Sequence, residues 1–172
     1  MKLLRNKVPT VLYLHGFKSF PGDSIEQELS LCDKYKIISI QLDHLNPEKT
    51  YKEILEESKK ADLVIGFSMG GYWASLIPDV DKLFINPAFL FPYILLHKTG
   101  SRNLFERYLN LSKNQFLGKS RALLIYWEND KTEPLSLFNT FYEGDVVKGL
   151  TSHVPNSREI KNIVINQILK ML

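Results

Sequence analysis

The chain is poor in cysteine and contains no long apolar segment. Cys32 is the single cysteine among 172 residues, which excludes an internal disulfide and suits a reducing compartment. No apolar run approaches the roughly 20 residues that a membrane-spanning helix needs. Basic side chains interrupt residues 1–7, where a signal peptide carries its apolar stretch. We therefore expect a cytoplasmic protein without a membrane span.

The chain also lacks a dominant charge of either sign. Its 22 Lys and Arg residues nearly balance its 19 Asp and Glu residues, which leaves a net charge of +3. Basic clusters have acids beside them, as in residues 56–60 (EESKK), and this is typical of a solvated helix face. We therefore expect no nucleic-acid partner. With 44% hydrophobic and 24% charged residues, the chain is expected to form a single domain over residues 1–172.

Six short apolar runs predict buried parallel strands, because they are continuous and do not alternate with polar residues. The runs are Thr10–Leu14, Lys36–Ile40, Asp62–Phe67, Lys82–Ile85, Ala122–Trp127 and Val146–Leu150. Helical patterns lie between and after them, at Ser24–Asp33, Glu48–Lys60, Met69–Ile77, Pro134–Tyr142 and Ser157–Leu172. This alternation predicts a three-layer, doubly wound α/β fold around a mostly parallel six-stranded sheet.

Residues 87–120 do not follow this rhythm. They hold an aromatic and aliphatic cluster at 89–96 and a second apolar helical pattern after Gly100. One interpretation is two helices that pack in the core. The other is a small helical excursion over the active site that contributes an apolar wall, and the two interpretations are compatible.

The most informative motif is Gly-Phe-Ser-Met-Gly at residues 66–70, with Ser68 at its centre. An apolar strand pattern precedes it directly and a helical pattern follows it directly. A strand, a sharp turn and a helix with serine at the apex predict the nucleophile elbow of a serine hydrolase. The serine needs a strained backbone there, and side chains at both flanking positions would collide, which explains Gly66 and Gly70.

A serine hydroxyl needs a base, and the base needs an acid that orients it. After Ser68 the histidines are His97, within the apolar cluster, and His153, between the last strand and the last helix. We predict that His153 is the base because its position is the one this fold uses. The acid should follow the strand at 122–127, where Asp130 is our prediction and Glu128 the main alternative. Glu133 is expected to begin the next helix.

The oxyanion of the reaction intermediate needs two backbone N–H donors. We assign one to Met69, directly after the nucleophile, and the other to Phe17, in the loop after the first strand. Gly16 allows that loop to turn toward the serine. His15 is interpreted as a hydrogen-bonded structural residue.

Three segments, in this order and at similar separations, resemble small bacterial α/β-hydrolase esterases of the YqiA/YcfP type (UPF0227-like). They are Tyr13–Ser19 (YLHGFKS), Gly66–Ala74 (GFSMGGYWA) and Ile85–Ala88 (INPA). Such proteins also carry an Asp after a late strand and a His before the last helix, which match Asp130 and His153. The resemblance implies an all-parallel sheet in the order 2-1-3-4-5-6 and esterase or thioesterase activity. The shortness of the chain predicts that a full lid domain is absent.

These patterns together predict a serine hydrolase that cleaves small-molecule acyl esters or thioesters through an acyl-serine and needs no metal or organic cofactor. The alternatives are a non-catalytic binding module of the same fold and an acyltransferase. The short chain predicts an open cleft that accepts short or protruding acyl chains. Its aromatic candidates, for which core packing is the alternative, are Trp73, Phe89, Phe91 and Tyr93.

Overall fold

A six-stranded parallel sheet forms the centre of the molecule. The computed structural model describes residues 7–118, 120–130 and 134–172. The strands in these residues are β1 (Thr10–Leu14), β2 (Lys36–Ser39), β3 (Leu63–Phe67), β4 (Lys82–Ile85), β5 (Ala122–Tyr126) and β6 (Asp145–Lys148). They pair in the order β2-β1-β3-β4-β5-β6, and every pair is parallel. The predicted fold class and strand order are therefore confirmed.

Helices cover both faces of the sheet. They are α1 (Ser24–Leu29), α2 (Pro47–Ser58), α3 (Met69–Ser75), α4 (Phe91–Thr99), α5 (Arg102–Leu111), α6 (Pro134–Phe141), α7 (Ser157–Glu159) and α8 (Ile165–Met171). A π-helical turn at Ile160–Val164 joins α7 to α8. One hydrophobic cluster packs α2 to α6 against one face, and a second packs α1, the π-helical turn and α8 against the other. These are the three layers that the sequence predicts.

The four central strands are buried as expected, whereas the two edge strands are not. Every residue of β3, β4 and β5 is buried, and so are four of the five residues of β1. In β2 and β6 no residue is fully buried. An edge strand has a neighbour on one side only, so the prediction of a buried strand was wrong for β2 and β6.

The segment between β4 and β5 packs on the α3 side of the sheet. The ring of Phe91 on α4 lies 5.4 Å from that of Tyr108 on α5, and the ring of Tyr108 lies 5.7 Å from that of Tyr72 on α3. Arg107 on α5 also donates hydrogen bonds to the carboxylate of Glu48 on α2. The ring of Phe91 also lies 5.6 Å from that of Phe17, so α4 lies beside the loop that follows β1.

None of the helices in the described residues combines the length and the apolar character that a bilayer crossing requires.

Close backbone contacts at the start of α3 explain the glycines of the serine motif. A Cβ atom added at Gly70 would lie 1.8 Å from the carbonyl oxygen of Leu14 at the end of β1. A Cβ added at Gly66 would lie 2.5 Å from the carbonyl oxygen of Gly70. Neither position has room for a side chain, so α3 is held directly against β1 and β3.

We predict that Gly70→Ala lowers the free energy of unfolding by more than about 4 kcal/mol, since its methyl group would overlap a fixed backbone oxygen. Gly100→Ala is the matched control. Gly100 has a φ of +68°, and an added Cβ there meets no atom within 4 Å. Its expected cost is about 1 kcal/mol, from backbone strain alone. Urea unfolding of both variants checks this, and equal losses would contradict the close contact at Gly70.

Candidate active site

The residues that the sequence singles out converge at the carboxyl edge of the sheet. Ser68 follows β3, Asp130 follows β5 and His153 follows β6, while Phe17 follows β1. In an open parallel sheet this edge is where ligands bind. The topology therefore brings four separate segments of the chain to one place.

Ser68 has the strained backbone of an elbow. Its φ of +52° and ψ of −115° lie in a region that residues other than glycine rarely adopt. Neighbouring backbone groups hold it there. The Ser68 N–H donates to the carbonyl of Ile85 at 3.1 Å, and the Ser68 carbonyl accepts from the N–H groups of Gly71 at 2.9 Å and Ala88 at 2.8 Å.

His153 connects Ser68 to Asp130. Its Nε2 atom lies 3.0 Å from the Ser68 hydroxyl oxygen, and its Nδ1 atom lies 2.5 Å from Oδ2 of Asp130. The carboxylate accepts from Nδ1–H, which leaves Nε2 free to accept from the serine hydroxyl. The Asp130 side chain is only 3% exposed, whereas that of His153 is 36% exposed and can meet a substrate.

Glu128 and His97, the alternative acid and base, are both exposed and lie in other surroundings than Asp130 and His153. Glu128 accepts a hydrogen bond at 2.5 Å from Nζ of Lys148 on β6, and its side chain is 61% exposed. His97 is exposed on the last turn of α4. Glu133 lies outside the described residues. The geometry therefore joins Asp130, and not Glu128, to His153.

The two N–H groups assigned to the oxyanion site belong to turns beside Ser68. Met69 is the first residue of α3, and a Cβ added at Gly16 would lie 3.6 Å from Cβ of Ser68. In the part of the chain that the structure describes, the backbone N–H groups of Phe17 and Met69 donate to no protein acceptor. Both N–H groups are thus available to a ligand.

His15 fixes the peptide that carries the Phe17 N–H. Its Nδ1–H donates to the carbonyl of Gly16 at 2.8 Å, and its Nε2 accepts from the N–H of Leu42 at 3.2 Å. The carbonyl of Gly16 and the N–H of Phe17 point in opposite directions because they share one trans peptide. The His15 ring is buried, and this burial lowers its pKa. His15 is therefore a neutral, hydrogen-bonded residue, as the sequence interpretation has it.

A cleft of about 500 Å³ opens beside Ser68. Its walls are mainly apolar and come from the loop after β1, from α4 and from the segment around His153. The apolar side chains that line it are Phe17, Phe20, Ile25, Phe67, Ala88, Phe91, Ile94 and Val154, with Lys18 and Lys98 among the polar ones.

The four aromatic residues predicted for this cleft separate into three groups. Phe91 lines the cleft. Trp73 and Phe89 are buried in the core, where they contact other rings and not the cleft. Tyr93 is 55% exposed on α4 and packs edge-on against Phe105. Core packing, the alternative stated for each aromatic residue, thus describes Trp73 and Phe89.

Asn86 belongs to the motif at Ile85–Ala88, but the sequence alone assigns no role to it. Asn86 directly follows the buried strand β4, and its side chain is fully buried next to the segments that carry Asp130 and His153. The feature of the sequence that could have indicated a role is a polar residue at the carboxyl end of a central apolar strand.

Among the described residues, no group of three or more His, Cys, Asp or Glu side chains is arranged to hold a metal ion.

The first comparison with known proteins concerns the family. The family model described as "Uncharacterised protein family (UPF0227)" matches residues 10–118. The chain belongs to this family. The match includes all three segments on which the sequence resemblance rests and confirms that resemblance. A comparison with curated proteins gave no match.

Solved structures share the fold over nearly the whole chain. Est1E from Butyrivibrio proteoclasticus superposes with a TM-score of 0.64 at 13% identity, covering 96% of this chain and 88% of Est1E. The monoacylglycerol lipase of Paleococcus ferrophilus gives a TM-score of 0.64 at 14% identity, covering 95% of each chain. The Vlm2 thioesterase domain gives 0.55 at 12% identity, covering 95% of this chain and 90% of that domain. At these identities the likeness establishes the α/β-hydrolase fold.

The environment of His15 predicts how stability depends on pH. Because its pKa is lowered in the folded state, the unfolded chain binds a proton below about pH 6.5 that the folded chain does not bind. Stability is therefore lost as the pH falls through this range. We expect the wild type to lose on the order of 1 kcal/mol more than His15→Asn between pH 7.5 and 5.5. Urea unfolding at both pH values measures the difference, and identical losses would contradict a buried neutral His15.

Proposed function

We propose that this protein is a serine hydrolase that cleaves carboxylic esters or thioesters through an acyl-serine intermediate. The observation that carries the proposal is the hydrogen-bonded chain from Ser68 through His153 to Asp130, with separations of 3.0 Å and 2.5 Å. Such a chain is the arrangement that turns a weak hydroxyl into a nucleophile.

The proposed reaction assigns one task to each group. Nε2 of His153 takes the hydroxyl proton as Ser68 attacks the acyl carbonyl, and Asp130 holds the ring and stabilises the imidazolium. The N–H groups of Phe17 and Met69 bind the oxyanion that forms. His153 then protonates the leaving alcohol or thiol, and water repeats the cycle on the acyl-serine to release the acid. These steps need no further cofactor.

Cleft chemistry and structural relatives support the substrate class. The mainly apolar walls beside Ser68 suit an acyl chain or another small apolar group. The relatives of this fold include a monoacylglycerol lipase, an acetyl xylan esterase from Paenibacillus sp. R4 and a thioesterase domain. Another structure is Est1E with ferulic acid bound. We therefore propose small-molecule esters or thioesters with short or protruding acyl chains as substrates.

The first test of the proposal is covalent labelling. We expect a fluorophosphonate probe to label the wild type and not Ser68→Ala, because the probe reacts with an activated serine. Ser68→Ala and His153→Ala should each lower kcat on p-nitrophenyl acetate by a factor of about 10³ or more relative to the wild type. Active-site labelling and steady-state rates measure these effects.

A non-catalytic binding module of the same fold would give the opposite result, with neither labelling nor hydrolysis by the wild type. Labelling that persists in Ser68→Ala would contradict the assignment of the nucleophile. Acyl transfer, the other alternative, is separated from hydrolysis by product analysis in the presence of an added alcohol.

The acid is tested by a matched pair of amide substitutions. Asp130→Asn should lower kcat by about 10³, because an amide cannot stabilise the imidazolium and can hold the ring in the wrong tautomer. Glu128→Gln removes the same charge two positions earlier and should change kcat by less than about threefold, since Glu128 pairs with Lys148 at the surface. Steady-state kinetics on p-nitrophenyl acetate compare the two variants. A larger effect of Glu128→Gln would reverse the assignment.

A further inference from the structure

Asn86 occupies a buried and strained position between the two loops that meet at Ser68. It directly follows β4, a central strand, and its side chain has no exposure. Its φ of +41° lies in the left-handed region, which asparagine tolerates better than most residues. Its N–H donates to the carbonyl of Ile125 on β5 at 3.0 Å, so its backbone is anchored to the sheet.

The Asn86 carboxamide bonds to both loops at once. Its Oδ1 atom accepts from the N–H of Trp127, in the loop that carries Asp130, at 2.7 Å. Its Nδ2 group donates to the carbonyls of His153 at 2.7 Å and Ser152 at 3.2 Å. A flipped amide would place donor against donor and acceptor against acceptor, so these partners fix its orientation.

The contact with Asn86 matters most for the loop that carries His153, because that loop follows a strand with a neighbour on one side only. It leaves β6, an edge strand without a fully buried residue. Glu159 on α7 accepts from the N–H groups of Thr151 at 2.7 Å and Asn156 at 2.8 Å, which holds the two ends of the loop. Between these two ends, the amide of Asn86 links Ser152 and His153 to the central sheet by hydrogen bonds to their carbonyls.

On the acid side, the contact is passed on through one peptide turn. The Trp127 N–H donates to Asn86, and the Trp127 carbonyl accepts from the N–H of Asp130 at 3.0 Å. The backbone of Asp130 is therefore hydrogen-bonded to Trp127, and Trp127 is in turn hydrogen-bonded to Asn86. A single buried amide thus fixes the backbones from which both Asp130 and His153 project.

We propose that Asn86 is a positioning residue that sets the separation between Asp130 and His153 and thereby the direction of Nε2 toward Ser68. The expected effect on kcat rests on the proposed function. The expected effect on the contact between His153 and Asp130 rests on the geometry alone. Asn86 does not itself line the cleft, and its side chain contacts His153 only at the backbone carbonyl. Its loss should affect the chemical step more than substrate binding, because misplacing a catalytic group by about 1 Å can cost a factor of about 10².

The test uses Asn86→Gly and Asn86→Asp in the 172-residue chain. Glycine tolerates the positive φ and removes all three side-chain hydrogen bonds. Aspartate keeps the shape and the acceptor for Trp127 but has no N–H for the carbonyls of Ser152 and His153. We expect both variants to lower kcat on p-nitrophenyl acetate by about 10- to 100-fold and to leave KM within about threefold of the wild type. If Asn86→Gly does not fold, the kcat of Asn86→Asp alone tests the proposal.

Ile168→Val is the stability control. Ile168 is a buried residue of α8 in the second hydrophobic cluster and is not one of the residues that line the cleft. Truncating it destabilises the fold without disturbing the amide, so its kcat should equal that of the wild type under conditions where all variants are folded. A loss of kcat in Ile168→Val comparable to that in the Asn86 variants would mean that stability alone explains the effect.

A second measurement is independent of activity. The Nδ1 proton shared by His153 and Asp130 should give a low-field proton resonance in the wild type, identified by its loss in Asp130→Asn. We expect Asn86→Gly to weaken or remove it. If the wild type showed no hydrolysis that depends on Ser68, the proposed function would be wrong. The low-field resonance could still be compared between the wild type and the Asn86 variants. An unchanged resonance in the Asn86 variants, a wild type that lacks it, or a kcat within twofold of the wild type would overturn the role of Asn86.

Discussion

The close approach of α3 to the end of β1 is the constraint on which the candidate site depends. The backbone of Gly70 lies directly against the carbonyl of Leu14, so the helix that begins after Ser68 cannot move away from the loop that begins after β1. This contact places Ser68 next to Gly16 and Phe17 before any side chain of the site is considered. The same packing forces Ser68 into its strained backbone, and the surrounding hydrogen bonds to Ile85 and Ala88 hold that strain.

The parts of the fold that could be predicted are those in which the signal is local. The central strands are buried on both faces, so they are continuous apolar runs, and the bounds of β1 and β4 match the prediction residue for residue. The strand order came from the family resemblance and not from the residue pattern. The edge strand β6 begins one residue earlier and ends two residues earlier than predicted, because three of its four residues are exposed and its apolar run does not mark its bounds. The final helix was predicted as one regular element, whereas its π-helical turn at Ile160–Val164 left no visible trace in the composition.

The candidate site was predictable only where chemistry and position coincide in the sequence. Ser68 stands inside a motif, and His153 stands between a strand and a helix. The sequence could not separate Asp130 from Glu128, because the contacts that distinguish them come from later segments of the chain: His153 pairs with Asp130, and Lys148 pairs with Glu128. Asn86 was overlooked for the same reason. The importance of its amide lies in partners more than 40 residues away in the chain, at Trp127 and His153.

Two walls of the cleft come from parts of the chain that hold none of the three hydrogen-bonded side chains at its base. Residues after β1 supply one wall, through Phe20, and α4 supplies another, through Phe91 and Ile94. The arrangement of Ser68, His153 and Asp130 instead rests on the sheet and on buried backbone contacts. Mutations in the walls can therefore alter which molecules fit while this arrangement persists. This separation gives such a small scaffold room to diversify during evolution.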